Sequence, residues 1–177
     1  GNDETFFGDV SFSDDGSLAY HVADTLFDSI RVYDLSQTPV VAQSHPVDSG
    51  TPFYIETIPG TSRVLLNLHQ SSDRFVAAVY DLALDSIVFL DERYHTFPFR
   101  MVASHDGTRA YYGIHPSAFV EYDVANNRIL REVSTENALP CAPQSFVARS
   151  IAISPDDRLL FLQTDVLNTD GGMLTYD

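Results

Sequence analysis

Histidine, arginine and carboxylate residues fall into a few short groupings along this chain of 177 residues. His69, Asp73 and Arg74 form one, and Tyr94, His95 and Arg100 another. His45 with Asp48, His115, Arg149, and Asp165 with Asn168 and Asp170 complete the set. Imidazoles and carboxylates that converge can bind a divalent ion and activate water. No two of these histidines have a ligand spacing such as His-x-x-x-His, so exposed loop histidines are the simpler reading and no metal site is expected. The segment Asp165–Gly172 faintly resembles a calcium loop, but it lacks the alternating ligand spacing and the closing Glu. A long hairpin made of Asn, Asp and Gly accounts for it better.

Covalent chemistry has less support. There is no Ser-His-Asp signature, no Gly-x-Ser-x-Gly elbow and no phosphate-cradling Gly loop. Cys141 is the only cysteine, so no intrachain disulfide can form. It sits in Pro140-Cys141-Ala142-Pro143 with no cation beside it to activate the thiol. No cofactor is expected.

The segments that must position these residues repeat about every 45 residues. A turn opens an apolar strand, and a Tyr-Asp step closes the strand after it. The turns are Ser13-Asp14-Asp15-Gly16, Pro59-Gly60-Thr61, Ser104-His105-Asp106-Gly107 and Ser154-Pro155-Asp156-Asp157. Their partners are Tyr33-Asp34, Tyr80-Asp81, Tyr122-Asp123 and Tyr176-Asp177. Asp-Gly supplies the positive φ of a tight hairpin, and Asp157 takes that position in the fourth copy. The paired acids Asp14-Asp15 and Asp156-Asp157 therefore belong to the scaffold. Arg31, Arg63, Arg109 and Arg158 read as solvated strand or turn positions.

Each repeat parses into short strands rich in β-branched and aromatic residues, with almost no helical spacing. The first repeat gives 9–13, 18–23, 30–35 and a fourth strand seeded at Val40-Val41-Ala42. The second gives 53–57, 64–68, 75–82 and 87–90, and the third 100–104, 110–114, 119–124 and 129–133. The fourth offers 150–154, 159–163 and 173–176. Runs such as Val64-Leu65-Leu66 and Leu159-Leu160-Phe161-Leu162 are apolar on both faces, which suits sheets stacked face to face. The fold class is thus all-β, with propeller blades of four antiparallel strands. Residues 1–177 form a single β-propeller region with blades at about 8–47, 52–95, 99–135 and 148–177, the last incomplete. This is about three and a half blades. A partial propeller is preferred to a closed four-bladed ring using Glu4-Thr5-Phe6-Phe7 as the missing strand.

The repeat resembles that of the YVTN-type β-propellers, whose blades read roughly Ser-Pro-Asp-Gly, then Leu-Tyr-Val, and later Val-x-Asp. Ser154-Pro155-Asp156-Asp157-Arg158-Leu159-Leu160-Phe161 is the best copy, followed by Asp106-Gly107-Thr108-Arg109-Ala110-Tyr111-Tyr112 with Val120-Glu121-Tyr122-Asp123. The literal Val-Thr-Asn step and the Gly-His and Trp-Asp marks of WD40 blades are absent. Proteins with this pattern include lactonase-like enzymes, amine-dehydrogenase propeller subunits and surface proteins. The resemblance alone favours a secreted or periplasmic location. It covers nearly the whole chain but only as a blade-building pattern, so it assigns no chemistry.

In a propeller, ligands meet the loops of one face where they converge on the central channel. The loops between second and third strands, and those joining successive blades, carry His69, Arg74, His95, Arg100, His115 and Arg149. These are the candidate ligand-binding residues of a binding or scaffolding module that recognises a protein or a small molecule. The alternative is a propeller enzyme, or an enzyme subunit, of the lactonase or amine-dehydrogenase type. With ten Lys+Arg against 25 Asp+Glu the net charge is −15, which disfavours nucleic acid and anionic lipid as partners. No apolar run approaches the ~18 residues that span a bilayer. An open stack leaves apolar faces at its Phe12 and Phe161 ends and an unpaired edge at 173–176. A protein partner or a second copy is expected to cover them.

Overall fold

In the computed structural model the described residues are 8–23, 28–71, 74–90, 100–114, 118–134, 147–165 and 172–176. They form fifteen strands in four antiparallel sheets, each built from strands consecutive in the chain. Blade 1 holds β1 (Gly8–Phe12), β2 (Leu18–Ala23), β3 (Ser29–Asp34) and β4 (Val41–Pro46). Blade 2 holds β5 (Thr51–Thr57), β6 (Arg63–Ser71), β7 (Arg74–Asp81) and β8 (Ser86–Phe89). Blade 3 holds β9 (Met101–Ala103), β10 (Arg109–Ile114), β11 (Ala118–Asp123) and β12 (Arg128–Ser134). Blade 4 has three described strands, β13 (Val147–Ile153), β14 (Leu160–Asp165) and β15 (Gly172–Tyr176). The expected blades are present, and the strand limits differ from the sequence reading by a few residues. The largest differences are at β4, which runs on to Pro46, at β6, which runs on to Ser71, and at β13, which begins at Val147.

The blades stack in chain order through three apolar layers. Tyr20, Val22, Ile30 and Val32 of blade 1 meet Val64, Leu66, Leu68 and Tyr80 of blade 2. On the other side of blade 2, Leu65, Ala77 and Val79 meet Ala110, Tyr112, Val120 and Tyr122 of blade 3. Phe119 of blade 3 meets Ile151, Leu160 and Leu162 of blade 4. Alternation along each strand assigns neighbouring residues to opposite layers, which is why the central strands read as unbroken apolar runs. The first strands β1, β5, β9 and β13 lie side by side at the inner end of the stack. The outer strands β4 and β12 are exposed along nearly their whole length.

The Tyr-Asp tyrosines occupy one register position: Tyr33 pairs with Ala19, Tyr80 with Val64, Tyr122 with Ala110 and Tyr176 with Leu160. Tyr80 and Tyr122 are 2% and 1% exposed, each packed against the preceding blade. The Tyr80 hydroxyl donates to the Pro46 carbonyl of blade 1 at 2.9 Å. Tyr33, at the same register position, is not packed between two described blades. It is only half-buried, because no described blade precedes blade 1.

The repeated turns hold themselves together and each other. The Asp15 carboxylate accepts from the Ser13 hydroxyl and from the Ser17 backbone and hydroxyl at 2.8–2.9 Å. Asp106 does the same with Ser104 and Thr108, and Asp156 with Ser154. These bonds hold the Asp15 and Asp106 carboxyls down to about 2. Gly16 and Gly107 both have φ of +69°, and Asp157 has +57°. Between blades, the Gly60 amide donates to Asp14 at 3.2 Å, and the His105 amide and ring nitrogen bond Asp157 at 2.6–3.1 Å.

Two substitutions separate backbone conformation from blade contact. A Cβ on Gly16 would meet nothing, whereas one on Gly107 would overlap the Pro59 carbonyl oxygen of the preceding blade. Gly16→Ala should cost about 1–2 kcal/mol, the left-handed backbone penalty alone. Gly107→Ala should lose about 1–3 kcal/mol more in urea denaturation. Equal losses would show that the two turns do not touch. Tyr80→Ala, at a filled inter-blade position, should cost about 3–5 kcal/mol; a change below about 0.5 kcal/mol would contradict its burial.

Candidate functional site

One polar cluster is assembled from three blades at the inner strands. Asp9 stands near the start of β1, Tyr54 and Glu56 lie two residues apart in β5, and Arg100 immediately precedes β9. Asp9 faces blade 2, and its carboxylate accepts from the Ile55 amide at 3.3 Å. Arg100 reaches the other Asp9 oxygen at 3.4 Å, across 91 residues of sequence. The Arg100 guanidinium also lies over the Tyr54 ring, 4.9 Å from its centroid, a cation–π contact. A register shift between Pro52 and Tyr54 marks a bulge in the β5–β6 pairing just before these residues.

Glu56 is the strongly perturbed acid of this cluster. Burial of its carboxyl, reinforced by the negative charge of Asp9, pushes it up to about 7, while Arg100 pulls in the opposite direction. Beside it runs a groove of about 400 Å³ along the inner strands of blades 2 to 4. Glu56, Arg100 and His105 give it polar walls, and Val102, Ala103, Ile151 and Ile153 give it apolar ones. A partly polar, partly apolar concavity with a titratable acid can orient a ligand and exchange a proton with it.

Of the six residues named from sequence, Arg100 is in this cluster. His69 sits at the end of β6, stacked on Phe75 with ring centroids 4.7 Å apart, and Arg74 is exposed at the start of β7. Both stand outside the cluster. His95 and His115 lie outside the described residues, as do Asp73, Tyr94, Cys141, Asn168 and Asp170. Arg149 lies in β13 at a register shift, with its side chain outside the described part. Asp9, Tyr54 and Glu56 were not singled out from sequence. The available signal was a carboxylate inside the short first strand of the second repeat, where the other repeats carry Ser11, Val102 and Ala152.

Two other polar groups act between blades. His45, at the end of β4, bonds Asp85 of blade 2 at 2.6 Å. Arg63 corrects the expectation of a solvated arginine: it bonds Asp81 at 3.2 Å and donates to the Val124 carbonyl of blade 3 at 3.3 Å. Its guanidinium fork satisfies two acceptors that lie on different blades. Among the described residues no three His, Cys, Asp or Glu side chains gather as a metal-ion set, and no helix is long and apolar enough to cross a membrane.

No family model and no curated protein matches the chain. Among solved structures it is similar to the β-propeller domain of Cps50 (Swd1) from Myceliophteria thermophila, with a TM-score of 0.59 and 11% identity. The match covers 90% of this chain and 51% of that one, so the chain spans about half the length of the matched structure. The fold is that of a β-propeller.

The state of Glu56 predicts a pH dependence. Its folded value lies above the ordinary 4.5, so the folded protein holds this proton more tightly than the unfolded chain. The resulting stabilisation is present in full below the unfolded value and is lost as pH rises through the folded one. Glu56→Gln removes that dependence. The stability of the variant relative to the native chain should rise by about 1–3 kcal/mol between about pH 4 and about pH 8. Parallel urea-denaturation profiles across that range would show that the carboxyl is not buried.

Proposed function

We propose that this chain is a β-propeller binding module that takes its ligand, a segment of a protein or a small molecule, at the inner-strand cluster around Arg100. One observation carries the reading: a half-buried acid stands where blade stacking requires none. At the position of Glu56 the other blades have Ser11, Val102 and Ala152, each paired at the same point of its hairpin. Blades therefore fold with a hydroxyl, a branched alkyl or a methyl group there, and a carboxyl pushed up by burial is a cost retained for another purpose. Asp9, Tyr54 and Arg100 surround it, and the groove beside it is open to a ligand.

In this reading the entire chain is one propeller region of the YVTN type. His69, Arg74, His95, His115 and Arg149 are the further candidate ligand-binding residues of the loop face, and Arg100 is the candidate that stands in the cluster. The enzyme alternative, of the lactonase or amine-dehydrogenase type, rests on the resemblance of the blade pattern.

Amide chemical-shift mapping with a fragment library of small amines and carboxylates tests the site. Hits should move the amides of residues 54–57 and 100–103 and lose that effect in Arg100→Ala. Shifts confined to the turns at Gly16 and Gly107, or shifts indifferent to Arg100→Ala, would place recognition elsewhere.

A further inference from the structure

On the reading that recognition takes place at the inner-strand cluster, we infer that the ligand presents a primary ammonium group, which seats between Glu56 and Asp9. The charges at the cluster do not balance. Asp9 and Glu56 bring two carboxylates, and Arg100 brings one guanidinium. That guanidinium is already engaged, by Asp9 at 3.4 Å and by the Tyr54 ring at 4.9 Å. Among the described residues Glu56 has no hydrogen bond and no close ion pair. It keeps its proton instead: burial and the charge of Asp9 push it up to about 7 in spite of Arg100. A proton thus stands where a cationic partner is missing.

The other charged groups around β5 do not provide that cation. In β6, Leu65 pairs with Glu56, while Arg63 is bonded to Asp81 and Val124, and His69 is stacked on Phe75. In blade 1, His21 and Arg31 share a row with Val10, on the face opposite to Asp9. Farther along the groove, Asp14 accepts from the Gly60 amide and His105 is bonded to Asp157.

The space at the cluster fits the group. Asp9, Tyr54, Ile55, Glu56, Arg100 and Met101 line a recess with about 10 Å³ free, the room of one water-sized group. All its walls come from blades 1, 2 and 3, where the inner strands lie side by side. A primary ammonium has that size, and its three donors suit carboxylate oxygens that can only accept. A guanidinium or a quaternary ammonium is too large. A carboxylate ligand would add a third negative charge, and a neutral ligand would leave the imbalance as it is. The recess shares Glu56, Arg100 and Met101 with the larger groove, where Val102, Ile151 and Ile153 offer apolar walls to a methylene stem. An alkylammonium ion and a lysine side chain both have such a head and stem. Seating the head releases the Glu56 proton to solvent and leaves a carboxylate–ammonium pair. The net charge of −15 favours the approach of a cation.

Calorimetric titration of the full chain with butylamine hydrochloride tests the charge class, at constant ionic strength in phosphate and in Tris buffers. The difference between the two buffers counts the protons released. About half a proton should leave per amine bound at about pH 7. Affinity should rise about tenfold between about pH 6 and about pH 8, a range over which the amine itself stays protonated. Glu56→Gln should abolish the proton release and the pH dependence, and weaken binding at about pH 8 by about tenfold. Nα-acetyl-lysine N-methylamide binding at least as tightly as butylamine would assign the ammonium to a protein segment, and weaker binding would assign it to a small molecule. Proton release from the native chain decides even where the variant fails to fold: butylamine binding without it would overturn the proposal, as would equal binding to a folded Glu56→Gln. Pentanoate or butan-1-ol shifting the amides of residues 54–57 and 100–103, with butylamine inert there, would overturn the ammonium and leave the site standing. If all of these compounds leave those amides unmoved, the ammonium and the site both fall.

Discussion

A blade of this protein has two faces, and neither can be buried by the blade itself. A strand such as β6 places Val64, Leu66 and Leu68 on one side and Leu65 on the other, and all four are fully buried because blade 1 and blade 3 lie against them. Burying side chains of this kind contributes about 1.5–3 kcal/mol each, so the layers between blades outweigh any single polar contact. Everything else follows from this mutual covering. Each sheet is stable only as a member of a stack, as in other repeat architectures where the unit alone has no core.

The polar contacts are arranged at the margins of those layers. On the turn side, carboxylates such as Asp15 and Asp106 satisfy the amides of their own turns, and Asp14 and Asp157 reach the neighbouring ones. At the perimeter His45 meets Asp85. Along the inner strands, Ser11 and Thr57 bridge blades 1 and 2 at 3.2 Å. Arg63 spans from its own blade to the backbone of the next. Contacts of this kind add modestly to stability and fix how far one blade slides or rotates over another. The near approach of Gly107 to Pro59 sets the same limit by sterics.

The inner-strand polar cluster stands where the stack leaves room for it. The centres of the blades are filled mainly by apolar side chains, with Asn67 of β6 fully buried among them, whereas the inner strands border a groove and differ from blade to blade. Glu56 and Arg100 are among those differences, and Asp9 and Tyr54 hold Arg100 between an ion pair and a ring face. The acid is perturbed chiefly because it is partly buried beside another carboxylate, and its cationic neighbour only moderates the effect.

The sequence by itself determined the strands, the turns and the blade architecture. Those features are written locally: period-two alternation makes the strands, and Asp15-Gly16 or Asp106-Gly107 makes the hairpins. The matched register of Tyr33, Tyr80 and Tyr122 was legible for the same reason, since the repeat itself aligns them. Only the tertiary structure decided that Tyr80 is buried while Tyr33 stays half-buried, because among the described residues the same local pattern meets a neighbouring blade in the first case and not in the second. It likewise decided that Arg63 ties two blades and that Arg100 meets Asp9, Tyr54 and Glu56. Contacts between residues about 45 or 91 positions apart depend on which blades stand side by side and how closely they stack. No local spacing encodes that distance, so the scaffold could be read along the chain and the site could not.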